Sequence, residues 1–222
     1  MSQQTVLITG ANRGIGLSFC KHFAQQGALV YAACRQTSDE LAALGVHVIE
    51  GVDIGGPEGA ARVKEALQGV SLDLLVNNAG ILRNEILGQI DYKSIAQQFH
   101  VNALGPLRIT EALLNNLHAG SKVALITSRM GSIADNTSGG RYGYRMSKCA
   151  LNIAGVSLAH DLKDRNIAVG IFHPGLVGTE MIGGHGDITP DEAAERLIQR
   201  IAALDLGNTG TFWHSNGEIL PW

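Results

Sequence analysis

Two rhythms of apolar and polar positions replace one another along this chain. Short runs rich in branched apolar residues lie at 5–9, 28–34, 46–52, 72–76, 122–127 and 167–172, each bounded by glycine or polar residues, as buried strands are. Between them, apolar residues recur every three or four positions at 17–24, at 57–68 and near 91–117. The same period runs from about Tyr144 to His160 and again after Thr189. Gly27 ends the first helix; Thr189 is a good N-cap and Pro190 a good first residue for the last. Strand and helix in strict turn predict a single α/β domain over 1–222. Its architecture is a doubly wound (Rossmann) parallel sheet with helices on both faces and ligands at the carboxyl ends of the strands. The segments 129–140 and 176–190 are Gly-rich and polar, hence loops at that rim, the second serving as substrate loop.

Composition narrows the function classes. Of 222 residues 45% are apolar and 17% charged, which suits a sheet buried between helices. A net charge of −3 gives no reason to expect nucleic acid or an anionic membrane as partner. No apolar run approaches ~18 residues and no leader precedes the first strand, so neither a membrane span nor export is expected. Cys20, Cys34 and Cys149 lack metal-ligand spacing, which predicts reduced thiols, no metal and a cytoplasmic setting.

The first strand runs into Gly10, Ala11, Asn12, Arg13, Gly14, Ile15 and Gly16, and a helix follows at once. Glycines there let the backbone turn tightly and approach a pyrophosphate, which then sits at the helix N-terminus. An acid about 20 residues on would hold the ribose of NAD. This chain has Cys34-Arg35 instead, and a guanidinium suits the 2′-phosphate of NADP(H), with Arg13 able to approach the same group.

Tyr144 and Lys148 are four apart, one turn apart on one helix face. An ammonium beside a phenol favours the phenolate and lowers its pKa toward the working range of an acid-base catalyst. Tyr142 has Met146 at the matching position.

Thr9-Gly10 with Gly14 and Gly16, then Asn77-Asn78-Ala79-Gly80, Asn102, Ser128, Tyr144 with Lys148, and Pro174-Gly175 with Thr179 occur in this order, each at an expected strand end or helix. The set resembles the short-chain dehydrogenase/reductase family over the whole chain. Asn12-Arg13, Cys34-Arg35 and the ending Ile219-Leu220-Pro221-Trp222 resemble the NADP-dependent carbonyl-reductase branch that contains sniffer and the C-factor proteins.

That resemblance implies a catalytic set of Asn102, Ser128, Tyr144 and Lys148. Tyr144 hands a proton to a carbonyl oxygen as hydride arrives, and Ser128 steadies that oxygen. Lys148 lowers the Tyr144 pKa and holds a ribose, while Asn102 holds a water leading to Lys148. It further implies cofactor contacts from Asp53 to adenine, from Asn77, Ala79 and Gly80 beside the adenosine ribose, and from Pro174, Gly175, Val177 and Thr179 at the nicotinamide. Asn77 has a second reading as a tie within the sheet, and Asp53 as a turn residue. Two features depart from the family: Ser128 and Tyr144 are 16 positions apart, a few more than usual, and the segment after Thr179 is short. A small-molecule carbonyl or alcohol is the expected substrate, and apolar residues on helices 91–117 and 145–160 suit a homodimer. Two alternatives stand beside the reductase: an NAD-dependent alcohol dehydrogenase, which the missing acid disfavours, and an NADP(H)-sensing signalling protein of C-factor type.

Overall fold

Seven parallel strands form one sheet in the order β3-β2-β1-β4-β5-β6-β7. They are β1 (Thr5–Thr9), β2 (Leu29–Ala33), β3 (His47–Ile49), β4 (Leu72–Asn77), β5 (Leu117–Ile126), β6 (Ala168–His173) and β7 (Phe212–His214). The computed structural model describes residues 3–222. The chain winds outward through β2 and β3, returns beside β1 at β4, and winds out the other way. The crevice above β1 and β4 is therefore the switch point where such folds bind ligands.

Successive strand residues feed opposite faces. Leu7, Leu75, Val123 and Leu125 pack against α3 (Pro57–Ala66), α5 (Gly105–Ala112) and α6 (Tyr142–Lys163). Val6, Ile8, Val76, Ala124 and Ile126 pack against α1 (Gly14–Gln25) and α7 (Pro190–Ala202), among Phe19, Phe23, Leu197 and Ile201. Burial on both faces is why these strands read as unbroken apolar runs. Thr189 caps α7 through the Glu192 N–H at 3.1 Å, with Pro190 first in the helix, as its sequence predicts.

Several boundaries differ from the expectation. β7 pairs with β6 but has only three residues, too few to show a period. The four-residue α2 (Asp39–Ala42), capped by Ser38, is equally short. β3 spans three residues of the run 46–52. The stretch 91–117 divides into α4 (Tyr92–Phe99), a wide π-turn (His100–Leu104) and α5, and β5 begins at Leu117. Pro106 has no N–H for the Asn102 carbonyl four residues back, so the helix widens where Asn102 sits. Both rim loops hold a 3₁₀ turn, Arg129–Gly131 and Glu180–Ile182. No helix among the described residues is long and apolar enough to cross a membrane.

Candidate active site

α6 brings Tyr144 and Lys148 to the carboxyl end of β5, where both are buried. The Lys148 ammonium donates to the Ile126 carbonyl at 2.9 Å and lies 5.8 Å from the centre of the Tyr144 ring. Burial without a carboxylate partner lowers its pKa to about 8. The Tyr144 phenol is pushed up by burial, while the neighbouring Ser128 hydroxyl and the charge of Arg141 pull it down. The expected net depression by Lys148 is thus absent: in this sheltered site desolvation is the largest influence on each group, and it opposes both charged forms.

Ser128 lies two residues beyond β5 and caps the Arg129–Gly131 turn, accepting the Met130 N–H at 3.1 Å. The turn rests on α6 so closely that a Cβ at Gly131 would lie 2.7 Å from the Lys148 backbone. Asn152 locks this contact. It accepts from the Thr127 hydroxyl at 2.7 Å and donates to the Gly131 carbonyl at 3.3 Å. Neither Thr127 nor Asn152 is among the expected site residues, although Asn152 lies one turn beyond Lys148. The long spacer after Ser128 bulges outward, and Ser132 and Ala134 bond the Trp222 carbonyl oxygen at 2.9 and 2.8 Å.

Asn102 is buried and its amide is committed to structure. It exchanges bonds of 2.8 Å with the Ile81 backbone and donates to the Ser147 hydroxyl at 3.0 Å. Gly80 separates it from Lys148: a Cβ there would lie 3.2 Å from the Asn102 oxygen and 3.5 Å from the Lys148 nitrogen.

The glycine loop is built for close approach. Gly10 has φ +66°, and a Cβ on it would lie 2.8 Å from Ala79 Cα. Gly16 faces the Gly10 carbonyl so tightly that no side chain fits. Asn78, not Asn77, holds the loop, donating to the Thr9 and Gly10 carbonyls at 3.0 and 3.3 Å. Asn77 does not tie strands together as its second reading expected: it donates to Thr110 at 3.1 Å, joining β4 to the helix α5. At the start of α1, Gly14, Ile15 and Gly16 follow an Arg13 that makes no side-chain cap, and the first turn holds no acid. That end is receptive to an anion.

At the end of β2, Arg35 is exposed and makes no ion pair among the described residues. Arg13 instead reaches across the crevice to Glu180 at 2.8 Å, an exposed pair joining the glycine loop to the 176–190 loop. The Asn12 carbonyl accepts from Ser38 at 2.7 Å, and Asp53 forms a turn with the Gly55 N–H at 2.9 Å. Beyond Pro174 and Gly175, the 176–190 loop is folded on itself through the Val177–Ile188 bridge and the Gly178 N–H to Ile188 at 2.9 Å. The Thr179 methyl lies 3.4 Å from where a Gly14 Cβ would be, so the loop reaches the phosphate end of the crevice. His173, stacked edge-on with His214 at 4.8 Å, is held to a pKa of about 3 by burial, by His214 and by the cations Arg129 and Lys148. It stays neutral and fits no proton-transfer role near neutral pH. No group of three or more metal-ligating side chains occurs among the described residues.

The model of the short chain dehydrogenase family matches residues 4–190. The chain belongs to that family. It is 42% identical to 1-hydroxy-2-glutathionyl-2-methyl-3-butene dehydrogenase of Rhodococcus sp. strain AD45, over 98% of this chain and 99% of that one. It is also 42% identical to C-signal of Myxococcus xanthus, over 68% and 93%. Among solved structures, the NADPH-bound carbonyl reductase from chicken fatty liver superposes with a TM-score of 0.89 at 28% identity, both chains fully covered. Sniffer carbonyl reductase of D. melanogaster gives 0.88 at 27%, again with full coverage. As a short-chain dehydrogenase, the chain is an oxidoreductase, and its fold matches the reading of its sequence.

Proposed function

We propose that this short-chain dehydrogenase is an NADP(H)-dependent carbonyl reductase with Tyr144 as proton donor. The observation that carries this reading is the buried Tyr144, with the Lys148 ammonium 5.8 Å from its ring centre and Ser128 beside it, at the rim that also carries the uncapped start of α1. The glycine cradle and that anion-receptive helix start fit a dinucleotide, and the chicken reductase of the same fold is NADPH-bound. When bound, NADPH supplies the hydride. The Ser128 hydroxyl orients the substrate carbonyl, Tyr144 gives its phenolic proton to the oxygen as the carbon accepts hydride, and an alcohol and NADP⁺ result. Lys148, its ammonium already weakened by burial, is suited to return a proton to the phenolate. Tyr144 and Lys148 line the nicotinamide side with Pro174, Gly175, Val177 and Thr179. In reverse the same groups oxidise a primary or secondary alcohol, a direction supported by the Rhodococcus relative, which is named a dehydrogenase.

Following NADPH absorbance with a panel of aldehydes and ketones tests the reading. Tight NADPH binding with no turnover across the panel would favour the signalling alternative, in keeping with the name of C-signal.

Arg35, exposed beyond β2 with no ionic partner among the described residues, is the proposed 2′-phosphate contact. Arg35→Ala weakens NADP(H) binding by about 1.5–3 kcal/mol and barely changes NAD(H). Equal losses for both cofactors in a titration would overturn the assignment. Arg13 contributes there only by leaving Glu180.

A second copy of the chain is the proposed partner. Leu151 is buried and Val156 and Leu158 pack on the core, but Ile153 and Met146, seven apart on α6, are 65% and 50% exposed. This stripe suits a symmetric helix-to-helix contact. Light scattering at micromolar protein gives a dimer mass on this account, and a monomer mass would refute it. The free thiols of Cys20, Cys34 and Cys149 suit a reducing, cytoplasmic setting.

A further inference from the structure

The start of α6 lacks a cap of its own. Arg141 precedes it in a left-handed conformation, makes no side-chain cap, and the first turn contains no acid. The backbone N–H groups of that turn need acceptors, and one comes from 58 residues away. Glu85, only 6% exposed in the segment between β4 and α4, accepts the Gly143 N–H at 3.1 Å. Tyr144 is the next residue.

We propose that Glu85 is a positioning residue for Tyr144, holding the first turn of α6 through Gly143; this rests on Tyr144 being the proton donor. The second Glu85 oxygen accepts from Nε2 of Gln98, a fully buried residue of α4, at 2.5 Å. The Gln98 oxygen accepts the Arg83 N–H at 3.0 Å. The chain of bonds therefore begins and ends on backbone donors. Somewhere it must contain a group that accepts on both sides. A carboxylate does so; a carboxamide always turns an NH₂ toward one neighbour.

Packing makes the arrangement specific. A Cβ on Gly143 would lie 2.5 Å from the Gln98 nitrogen and 3.0 Å from the Glu85 oxygen, so the helix start is pressed directly onto the pair. Glu85 makes no ion pair among the described residues. Its compensation is the Gln98 amide, the Gly143 N–H and the positive end of the 22-residue α6. A buried carboxylate so placed is costly for mere packing, where an apolar side chain would serve. It fits a site whose geometry must be held: displacement of a reacting group by about 1 Å costs up to ~100-fold in rate.

The test uses a swap that preserves the bonding logic. Glu85→Gln leaves two donors facing each other. Glu85→Gln with Gln98→Glu moves the carboxylate one link along and satisfies every group again. With NADPH and nitrobenzaldehyde as probe, Glu85→Gln is expected to lower kcat roughly 10- to 100-fold. KM for NADPH changes little, because the substitution leaves the glycine loop, Arg35 and the Lys148 side chain in place. The double variant recovers most of kcat. Amide exchange at Gly143, followed in the NADPH complex, speeds up in the single variant and slows again in the double. That measurement needs no substrate and decides the cap by itself. Wild-type kcat with unchanged Gly143 exchange in Glu85→Gln overturns the proposal, as does a double variant that regains the wild-type melting temperature but not kcat. Tyr144→Phe is run alongside. If it keeps turnover, the proton-donor reading fails, while the exchange data still judge the cap.

Discussion

Tyr144→Phe loses turnover by ~10²–10⁴-fold, the usual worth of a general acid, while NADPH binds nearly as well as before. The substitution removes only the hydroxyl and leaves the ring filling the same buried space. Tyr142→Phe is the internal control. Tyr142 opens α6 one residue before Gly143, its partner one turn on is the exposed Met146, and its loss leaves kcat within a few-fold of wild type. Steady-state kinetics together with an NADPH binding titration separate the two outcomes. Full activity in Tyr144→Phe would show that another group supplies the proton.

Lys148→Met gives the second large effect, in two opposite directions. Turnover collapses and NADPH binds more weakly, yet the cofactor-free protein becomes more stable near neutral pH. Lys148 is buried, and among the described residues its one hydrogen-bond acceptor is the Ile126 carbonyl and no carboxylate compensates its charge. The folded pKa of about 8 lies below the ordinary lysine value of 10.5, so between these values the unfolded chain binds the extra proton. Wild-type stability therefore rises with pH through that window, and the penalty is fully present below about pH 8. That depression corresponds to about 3 kcal/mol, offset near neutrality by roughly 1 kcal/mol for the lost bond to Ile126. Denaturant unfolding at neutral pH shows the variant ahead, and the gap narrows by about 3 kcal/mol toward pH 10.5. A variant whose gap from wild type does not change with pH would mean that Lys148 is solvated in the folded protein.

These opposed effects express a common tension between stability and activity. A solvated ammonium would be easier to fold around but poorly placed to resupply a buried phenol. The same holds for Glu85, a carboxylate without an ionic partner that the fold tolerates beside Tyr144.

The amino-acid sequence by itself determined the alternation of strands and helices and the crevice at the carboxyl ends of the strands. It also put Tyr144 and Lys148 on one helix face and set the start of α7 at Thr189. Such features are local: a burial period, an i, i+4 spacing, a glycine with positive φ or a cap is written within a few residues. The tertiary structure decided whatever depends on partners far along the chain. Three-residue β7 exists because β6 offers it a ladder. Adjacent Asn77 and Asn78 separate because one side chain turns toward Thr110 and the other toward the glycine loop. Arg13 faces Glu180, 167 residues away, and Glu85 reaches Gly143 across 58. The direction of the Tyr144 pKa was beyond the sequence for the same reason. Spacing placed a cation near the phenol, but only the packed protein sets how much water is excluded from both, and desolvation outweighs the neighbouring charge.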